Sequence, residues 1–346
     1  DDMAEWHAAV EEPVTYNYAG IEVHKCSGWT QGPVFLQQLA LLDGFDLKAL
    51  GHNSADYIHT YIECAKLAFA DREAYYGDPL FDDVPFDVLL GGTYNDSRRD
   101  LVGPNASSEM RPGDAGTGIP EYAIGDVAED NRRALNIGAR DVRDLGLGHA
   151  HVSDTTHLDA IDAEGNMVAA TPSGGWLGSS PVVKGLGFPI GTRGQMFYLN
   201  PERPNALEPR KRPRATLTPS IATRNGTPYL AFGTPGGDTQ DQITLQFFLN
   251  FAVFGMDVQN ALDAPMVYTT HFPSSFYPRQ SYPIRMVAED RIDVDVVAEL
   301  EKRGHQVDVI DGWSAGKAMG IHIDVESGII SGGATSRRRI AYAMGW

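Results

Sequence analysis

Two cysteines, Cys26 and Cys64, are all that this 346-residue chain contains. Their spacing excludes a CxxC redox or zinc pair, so both read as ordinary, mostly buried thiols. Basic residues are under-represented too: 28 Lys and Arg stand against 46 Asp and Glu, a net charge of −18. Such a surface repels phosphate backbones and anionic lipid, which argues against nucleic acid or a membrane surface as partner. No apolar run approaches the ~20 residues that a bilayer span needs. The opening Asp1-Asp2-Met3-Ala4-Glu5-Trp6 lacks the basic and apolar regions of a signal peptide. The chain therefore reads as soluble, a mature protein or a fragment of one, in a compartment left open between cytoplasmic and exported. What it has in quantity is core material: 42% of its residues are hydrophobic, enough for one large domain or two ordinary ones.

Periodicity predicts a helix over 32–42 and a second one capped by Asn53-Ser54, in which Ile58, Ile62, Ala65 and Phe69 repeat at three to four residues. Gly77 and Pro79 stop it. Beyond Pro112-Gly113 the chain turns to Gly, Asp, Arg and Asn with little periodicity, and 115–154 reads as a long mobile loop. After Asp154 the pattern becomes β-rich. Three hairpins are expected, over 156–171, over 220–232 with Asn225-Gly226 as a type I′ turn, and over 319–332 around Glu326-Ser327. The Gly-rich loop Gly233-Thr234-Pro235-Gly236-Gly237-Asp238 feeds a helix over about 239–254. Hairpins with helices before and between them indicate an α+β layered domain and not a doubly wound parallel sheet.

Reactive side chains are densest from Gly148 to His157, where three readings compete. His149, His151, Asp154 and His157 offer three imidazoles and a carboxylate to a metal, but they precede or start a strand and lack an i, i+4 arrangement. A polar loop leading into a strand is the plain alternative. The third reading makes Thr155 a latent N-terminal nucleophile. A threonine hydroxyl needs a base within hydrogen-bond reach, and a free α-amino group on the same residue, with an ordinary pKa of about 7.7 to 8.0, supplies one. That amine exists only if the Asp154–Thr155 bond breaks, which the Thr155 hydroxyl can accomplish by attacking the Asp154 carbonyl to give an ester that water hydrolyses. An amide hydrolase also needs donors for its oxyanion. Gly236 and Gly237, between a strand end and a helix start, offer backbone N–H groups at the positive end of the helix dipole. A helix-entry turn using Gly for its backbone freedom alone is the plain reading of the same loop.

The order of the motifs is more specific than any one of them. Ala70-Asp71-Arg72, Gly77-Asp78-Pro79 and Arg111-Pro112-Gly113 precede Asp154-Thr155-Thr156-His157 and 162–168 (Asp-Ala-Glu-Gly-Asn-Met-Val). Pro204-Asn205-Ala206, Lys211-Arg212-Pro213, Thr218-Pro219, Thr234-Pro235-Gly236-Gly237, Asn260-Ala261 and Ala264-Pro265 follow. From about Tyr16 onward this series resembles the gamma-glutamyltranspeptidase family. The resemblance implies an N-terminal-nucleophile hydrolase, a four-layer αββα sandwich that cuts itself into a large and a small subunit which stay together. It divides the chain into 1–114, the C-terminal part of the large subunit; 115–154, the loop before the cut; and 155–346, the small subunit. It implies that Thr155 is the nucleophile, Ser173 the hydroxyl supporting it, Gly236 and Gly237 the oxyanion hole, and Gln195 a lining residue of the substrate pocket. No metal or organic cofactor is implied. A further region of the large subunit, ahead of Tyr16 and carrying an arginine that clamps the substrate carboxylate, is expected from the same resemblance.

Departures from the family pattern fall on substrate recognition. Phe197 and Tyr198 stand where transpeptidases carry acidic residues that hold the glutamyl ammonium, with cation–π contact from Tyr198 as the substitute. Gly175 replaces an asparagine. Ala215 and Thr216 replace the paired serines that bind the α-carboxylate, and Arg214 beside them is expected as a new anion anchor. The stretch from Met196 to Arg212 is short for the loop that covers the pocket in relatives. The expected activity is thus hydrolysis or acyl transfer on a small-molecule amide, γ-glutamyl as in glutathione or another N-acyl group as in the related cephalosporin acylases. An unprocessed, non-enzymatic homologue acting as a subunit is the alternative from another class.

Overall fold

The computed structural model describes residues 5, 7–124, 155–174, 180, 182–187, 189–337 and 341–345. Its centre is a six-stranded antiparallel sheet. The strands are β1 (Val14–Tyr18), β2 (Ile21–Lys25), β5 (Ser220–Arg224), β6 (Thr227–Gly233), β10 (Met319–Asp324) and β11 (Ile329–Ala334), in the order β1-β2-β5-β6-β10-β11. The β5–β6 turn is Asn225-Gly226, both with positive φ (52° and 74°), the type I′ geometry its sequence predicts. The β2–β5 register, Ile21↔Arg224 through Lys25↔Ser220, knits the sequence before residue 155 to the sequence after it within one sheet.

One face of the sheet carries the helices. The first, α1 (Pro33–Leu42), opens with Pro at its first turn and is buried throughout. Two further elements in chain order, α2 (Leu47–Leu50) and α3 (Ala55–Tyr75), follow; Ser54 Oγ caps α3 by accepting from Tyr57 N at 3.1 Å. The helix expected from one apolar stripe in fact buries every residue from Tyr57 to Tyr75, so its charged groups all need internal partners. Three short helices come next, α4 (Phe86–Leu89), α5 (Gly92–Arg99) and α6 (Glu121–Ile124), the last a single turn inside the stretch read as loop. A short 3₁₀ turn at Gly237–Thr239 leads into α7 (Gln240–Ala252). Phe35 of α1, Phe232 of β6 and Phe247 and Phe248 of α7 close the core, with ring centroids 5.6 to 6.1 Å apart. Truncating one such ring costs roughly 3–5 kcal/mol.

The other face carries a hairpin of β3 (Leu158–Ile161) and β4 (Met167–Ala170). Because Phe232 points to the helices, its neighbour Gly233 faces the opposite side, where a Cβ would lie 2.2 Å from the His157 ring. Helices, sheet and hairpin give three layers, and the α+β class is as expected. The fourth, helical layer of the expected sandwich is not seen among the described residues.

A smaller three-stranded sheet flanks α7: β7 (Val267–Thr269) pairs antiparallel with β8 (Arg285–Glu289), which runs parallel to β9 (Gln306–Ile310) across the crossover helix α9 (Val294–Lys302). The helix α8 (Val258–Asp263) leads into it. Val267, Met286 and Ala288 join the common hydrophobic core, and side-chain amides add polar bonds along one edge. Gln246 Nε2 donates to Val267 O (2.6 Å) while its Oε1 accepts from Val267 N (2.9 Å), and Gln242 treats Thr269 the same way, so two glutamine amides imitate a strand along the β7 edge.

Candidate functional site

The site is built at the open end of the β3–β4 hairpin. The ladder Leu158↔Ala170 continues outward through Thr156 N donating to Pro172 O (3.1 Å), and this register sets Thr155 opposite Ser173. The two hydroxyl oxygens are 2.6 Å apart. Arg193 Nη2 donates to Ser173 Oγ from a 3₁₀ turn at Arg193–Met196. Asp154 and Gly175, expected on the cut bond and in the pocket, lie outside the described residues, as do His149 and His151. His157 is committed elsewhere: Nδ1 meets Thr171 Oγ1 at 2.8 Å and Nε2 meets Asp159 Oδ1 at 2.9 Å. With both ring nitrogens bonded and the side chain buried, it orients the hairpin instead of offering a lone pair to a metal.

Gly233, on which the His157 ring rests, ends β6, and Gly236 and Gly237 follow it into α7. This brings the glycine loop to the end of the sheet at which Thr155 stands. Gly236 has φ +146° and Gly237 φ +59°, conformations that L side chains rarely adopt. A Cβ on Gly237 would sit 3.1 Å from the Phe276 ring, and the same ring carries the Arg193 guanidinium on its face at 5.6 Å. Gly237 is therefore fixed both by its dihedrals and by the neighbour that supports Arg193. Among the described residues neither glycine N–H has a backbone acceptor outside the turn itself. Donors of this kind, at a helix entry, are suited to a tetrahedral oxyanion, where each is worth roughly 3–4 kcal/mol in well-studied hydrolases.

Beneath the loop lies a buried charge cluster that sequence reading does not find. Asp238, next to Gly237, accepts from Arg72 Nη1 (2.6 Å), Ser275 Oγ (2.6 Å) and Ser275 N (2.8 Å). Arg72 also grips Glu73, whose Oε1 takes Arg214 Nη2 at 2.8 Å and whose Oε2 takes the Tyr198 hydroxyl at 2.5 Å. Burial by itself would raise the Glu73 pKa, but Arg214, Arg72 and the Tyr198 hydrogen bond outweigh it and hold the carboxyl at about 2. Arg279 stacks on the Tyr198 ring at 3.8 Å and donates to Met196 O (2.6 Å) and Phe197 O (2.9 Å), which anchors the turn that carries Gln195. Gln195 itself is exposed beside Arg193.

This cluster revises the expected recognition residues. Tyr198, Arg214 and Thr216 are each 1% exposed. The Tyr198 ring is flanked by Arg279 at 3.8 Å and by Arg203 at 4.3 Å. Arg214 is spent on Glu73, and a substrate carboxylate would have to displace that internal partner. Tyr198 and Arg214 thus meet at Glu73 in one inward-facing ion cluster.

The remaining motifs are mostly supports. Asp71 accepts from Gly113 N (2.7 Å) and Arg98 while Arg72 reaches the glycine loop, so adjacent residues of α3 hold the chain at 113 and at 238. Asp78 chelates Arg212 through its side chain (2.7 Å) and backbone N–H (2.9 Å). Asn205 bridges Met196 O (2.8 Å) and Arg214 N (2.8 Å). Thr218 and Ser220 take the buried ammonium of Lys25, which also pairs with Asp241 at 3.1 Å.

Among the described residues one group, His59, Glu63 and His305, has ligand atoms within 4.8 Å of one another. Its donors are already engaged. His59 Nδ1 and His305 Nε2 are hydrogen-bonded at 2.8 Å, and Glu63 is paired with both Lys66 and Arg111. Two fixed cations beside the only carboxylate disfavour a third.

Comparison with known proteins agrees with this construction. The family model for Gamma-glutamyltranspeptidase matches residues 1–345. The chain is 29% identical over 337 residues to the glutathione hydrolase-like YwrD proenzyme of Bacillus subtilis (strain 168), covering 96% of this chain and 55% of that protein. Among solved structures, LmbA2991HD is 46% identical with a TM-score of 0.87, over 100% of this chain and 57% of the other. The cephalosporin acylase from Bacillus halodurans is 28% identical with a TM-score of 0.76, over 97% and 53%. The chain thus spans about half the length of the relatives it matches. With a whole-chain match and a hydroxyl pair, glycine loop and sheet arranged as above, it belongs to the gamma-glutamyltranspeptidase family.

Proposed function

We propose that this protein is an autoprocessing N-terminal-nucleophile amidase that cleaves γ-glutamyl or related N-acyl amides through a Thr155 acyl-enzyme. The observation that carries the reading is the 2.6 Å contact between Thr155 Oγ1 and Ser173 Oγ at the mouth of the hairpin, beside a glycine loop with two strained N–H donors. In the first step the Thr155 hydroxyl attacks the Asp154 carbonyl, the C–N bond breaks so that the peptide becomes an ester and the Thr155 amine is freed, and water then cleaves the ester to give the Asp154 α-carboxylic acid and restore the Thr155 hydroxyl. In turnover that amine takes the Thr155 hydroxyl proton, Oγ1 adds to the substrate carbonyl, and Gly236 and Gly237 hold the oxyanion. The amine then returns the proton to the leaving nitrogen, and water or an acceptor amine resolves the ester. General-base help of this type is worth about 10² to 10⁴ in rate. The β2–β5 ladder keeps the two pieces in one sheet after the cut.

A second reading of the substrate, acylase-like, is favoured by the inward ion cluster. Tyr198 and Arg214 are occupied by Glu73 and leave no ammonium or carboxylate clamp at those positions. Assaying a γ-glutamyl anilide beside a glutaryl and a simple acyl anilide, with and without an acceptor dipeptide, tests the choice. Preference for the γ-glutamyl compound supports the transpeptidase reading, and preference for the others supports the acylase one. No turnover of any, with an unbroken chain, leaves the non-enzymatic subunit.

A further inference from the structure

Three consecutive carbonyls of the glycine loop are each held by a side chain. Thr234 Oγ1 donates to Pro235 O (2.8 Å), Thr239 Oγ1 to Gly236 O (2.9 Å) and Gln31 Nε2 to Gly237 O (3.3 Å). A carbonyl oxygen can only accept, so the direction of each bond is fixed. The peptides of this loop are trans, and a planar trans peptide points its N–H opposite to its C=O. Gripping Pro235 O therefore aims Gly236 N–H, and gripping Gly236 O aims Gly237 N–H, the two donors assigned above to the oxyanion. Resting on that assignment, we propose that Thr234 and Thr239 are positioning residues of the oxyanion hole, one hydroxyl for each donor peptide.

The two grips differ in strength. Thr234 is fully buried, and its oxygen accepts from Lys317 N at 3.1 Å while its one hydrogen goes to Pro235 O. Among the described residues no other donor meets Pro235 O, so Thr234 alone sets that peptide. Gly236 O also accepts from Thr239 N at 3.3 Å, so the Thr239 hydroxyl reinforces a bond that the backbone already makes. A Cβ on Gly236 would lie 2.7 Å from Thr239 Oγ1, which requires glycine there in addition to its φ of +146°. Gln31 steadies the next peptide. Its N donates to Ala215 O (2.9 Å), and its Oε1 takes Arg72 Nη1 (2.8 Å), which also holds Asp238. A hydrogen bond at each carbonyl further polarises its peptide and makes the N–H a better donor.

The test is steady-state kinetics with an acyl anilide for the full chain as expressed, beside T234V, T234S, T239V and T239S. Each is checked by mass for the Asp154–Thr155 break and by thermal melting for fold, and rates are taken per cleaved molecule. Valine keeps the shape and removes the donor, whereas serine keeps the donor. Loss of a whole oxyanion donor costs about 10² to 10³ in kcat, and a misaimed one should cost part of that. T234V should lose about 10- to 100-fold in kcat and T239V about 3- to 10-fold, with KM within about threefold in both. The serine variants should recover kcat to within about threefold of wild type. Hydroxyls that only support the fold would lower the melting temperature without separating kcat from KM. Should T234V not fold, T239V against T239S decides. A cleaved, active wild type whose kcat is kept in the folded valine variants, or is lost equally in valine and serine, overturns this inference alone. An unbroken, inactive wild type overturns the underlying reading and this inference with it.

Discussion

The buried cluster around Glu73 offers the sharpest stability test, because a single carboxylate there answers to two arginines and a phenol. Replacing Glu73 with Gln keeps the volume and an acceptor for Tyr198 but leaves Arg214, 1% exposed, without its anion. Arg72 retains Asp238, so Arg214 is the orphan. Breaking one side of a buried pair costs roughly 3–5 kcal/mol. An independent figure comes from linkage. With the folded Glu73 carboxyl at about 2 against an ordinary value of 4.5, the differential is about 3 kcal/mol at neutral pH. The sign is that of a depressed acid. The stabilisation is complete above pH 4.5 and is lost as pH falls toward 2, where the folded state must also take up the proton. Urea unfolding of the wild type and Glu73→Gln at pH 7 and at pH 3 measures both. The expected difference is about 3 kcal/mol at pH 7 and distinctly less at pH 3. A difference below about 1 kcal/mol at pH 7, or one that does not shrink in acid, refutes the argument. The double variant Glu73→Gln/Arg214→Met should recover much of the loss, since removing both charges leaves none uncompensated.

Three further outcomes follow from the same geometry. Gly237→Ala adds a Cβ at φ +59° against Phe276, and the displaced N–H should lower kcat by about 10² while the strained dihedral lowers stability by roughly 1–3 kcal/mol; an unaltered kcat contradicts the oxyanion assignment. Burial and the neighbouring His59, Lys66 and Arg303 push His305 down to about 3, so its neutral form is favoured by folding and stability should fall between pH 7 and pH 5, by up to about 2 kcal/mol. His305→Gln should flatten that segment of the curve, and an unchanged slope by calorimetry counts against it. Because the proposed chemistry uses the Thr155 amine and backbone donors, EDTA should leave turnover unchanged, and loss of activity restored by zinc would redirect attention to His59, Glu63 and His305.

Local signals carried a large part of the fold. Ser54 as a cap, the Asn225-Gly226 turn and the alternation of 158–161 and 167–170 each encode their own geometry within a few residues. The β1–β2 hairpin was not read because its turn, Ala19-Gly20, reaches positive φ at both positions without the Asn or Asp that marks such turns. The β7–β9 sheet escaped because β7 is three residues long and is completed by glutamine amides of α7, a contact across about 20 residues with no local trace. The same limit applies to the site. Thr155, Ser173 and the glycine pair are visible as motifs, whereas Glu73 and Arg214 meet across 141 positions and look like unrelated surface charges in sequence. Arg214, expected as an anion anchor, is buried against Glu73.

The central claim is a severed bond between Asp154 and Thr155. Intact mass and N-terminal sequencing of the purified protein should find two chains, the second beginning at Thr155, and a single unbroken chain in the Thr155→Ala variant. A wild-type preparation that turns over amide substrate with its backbone whole at that junction contradicts the account.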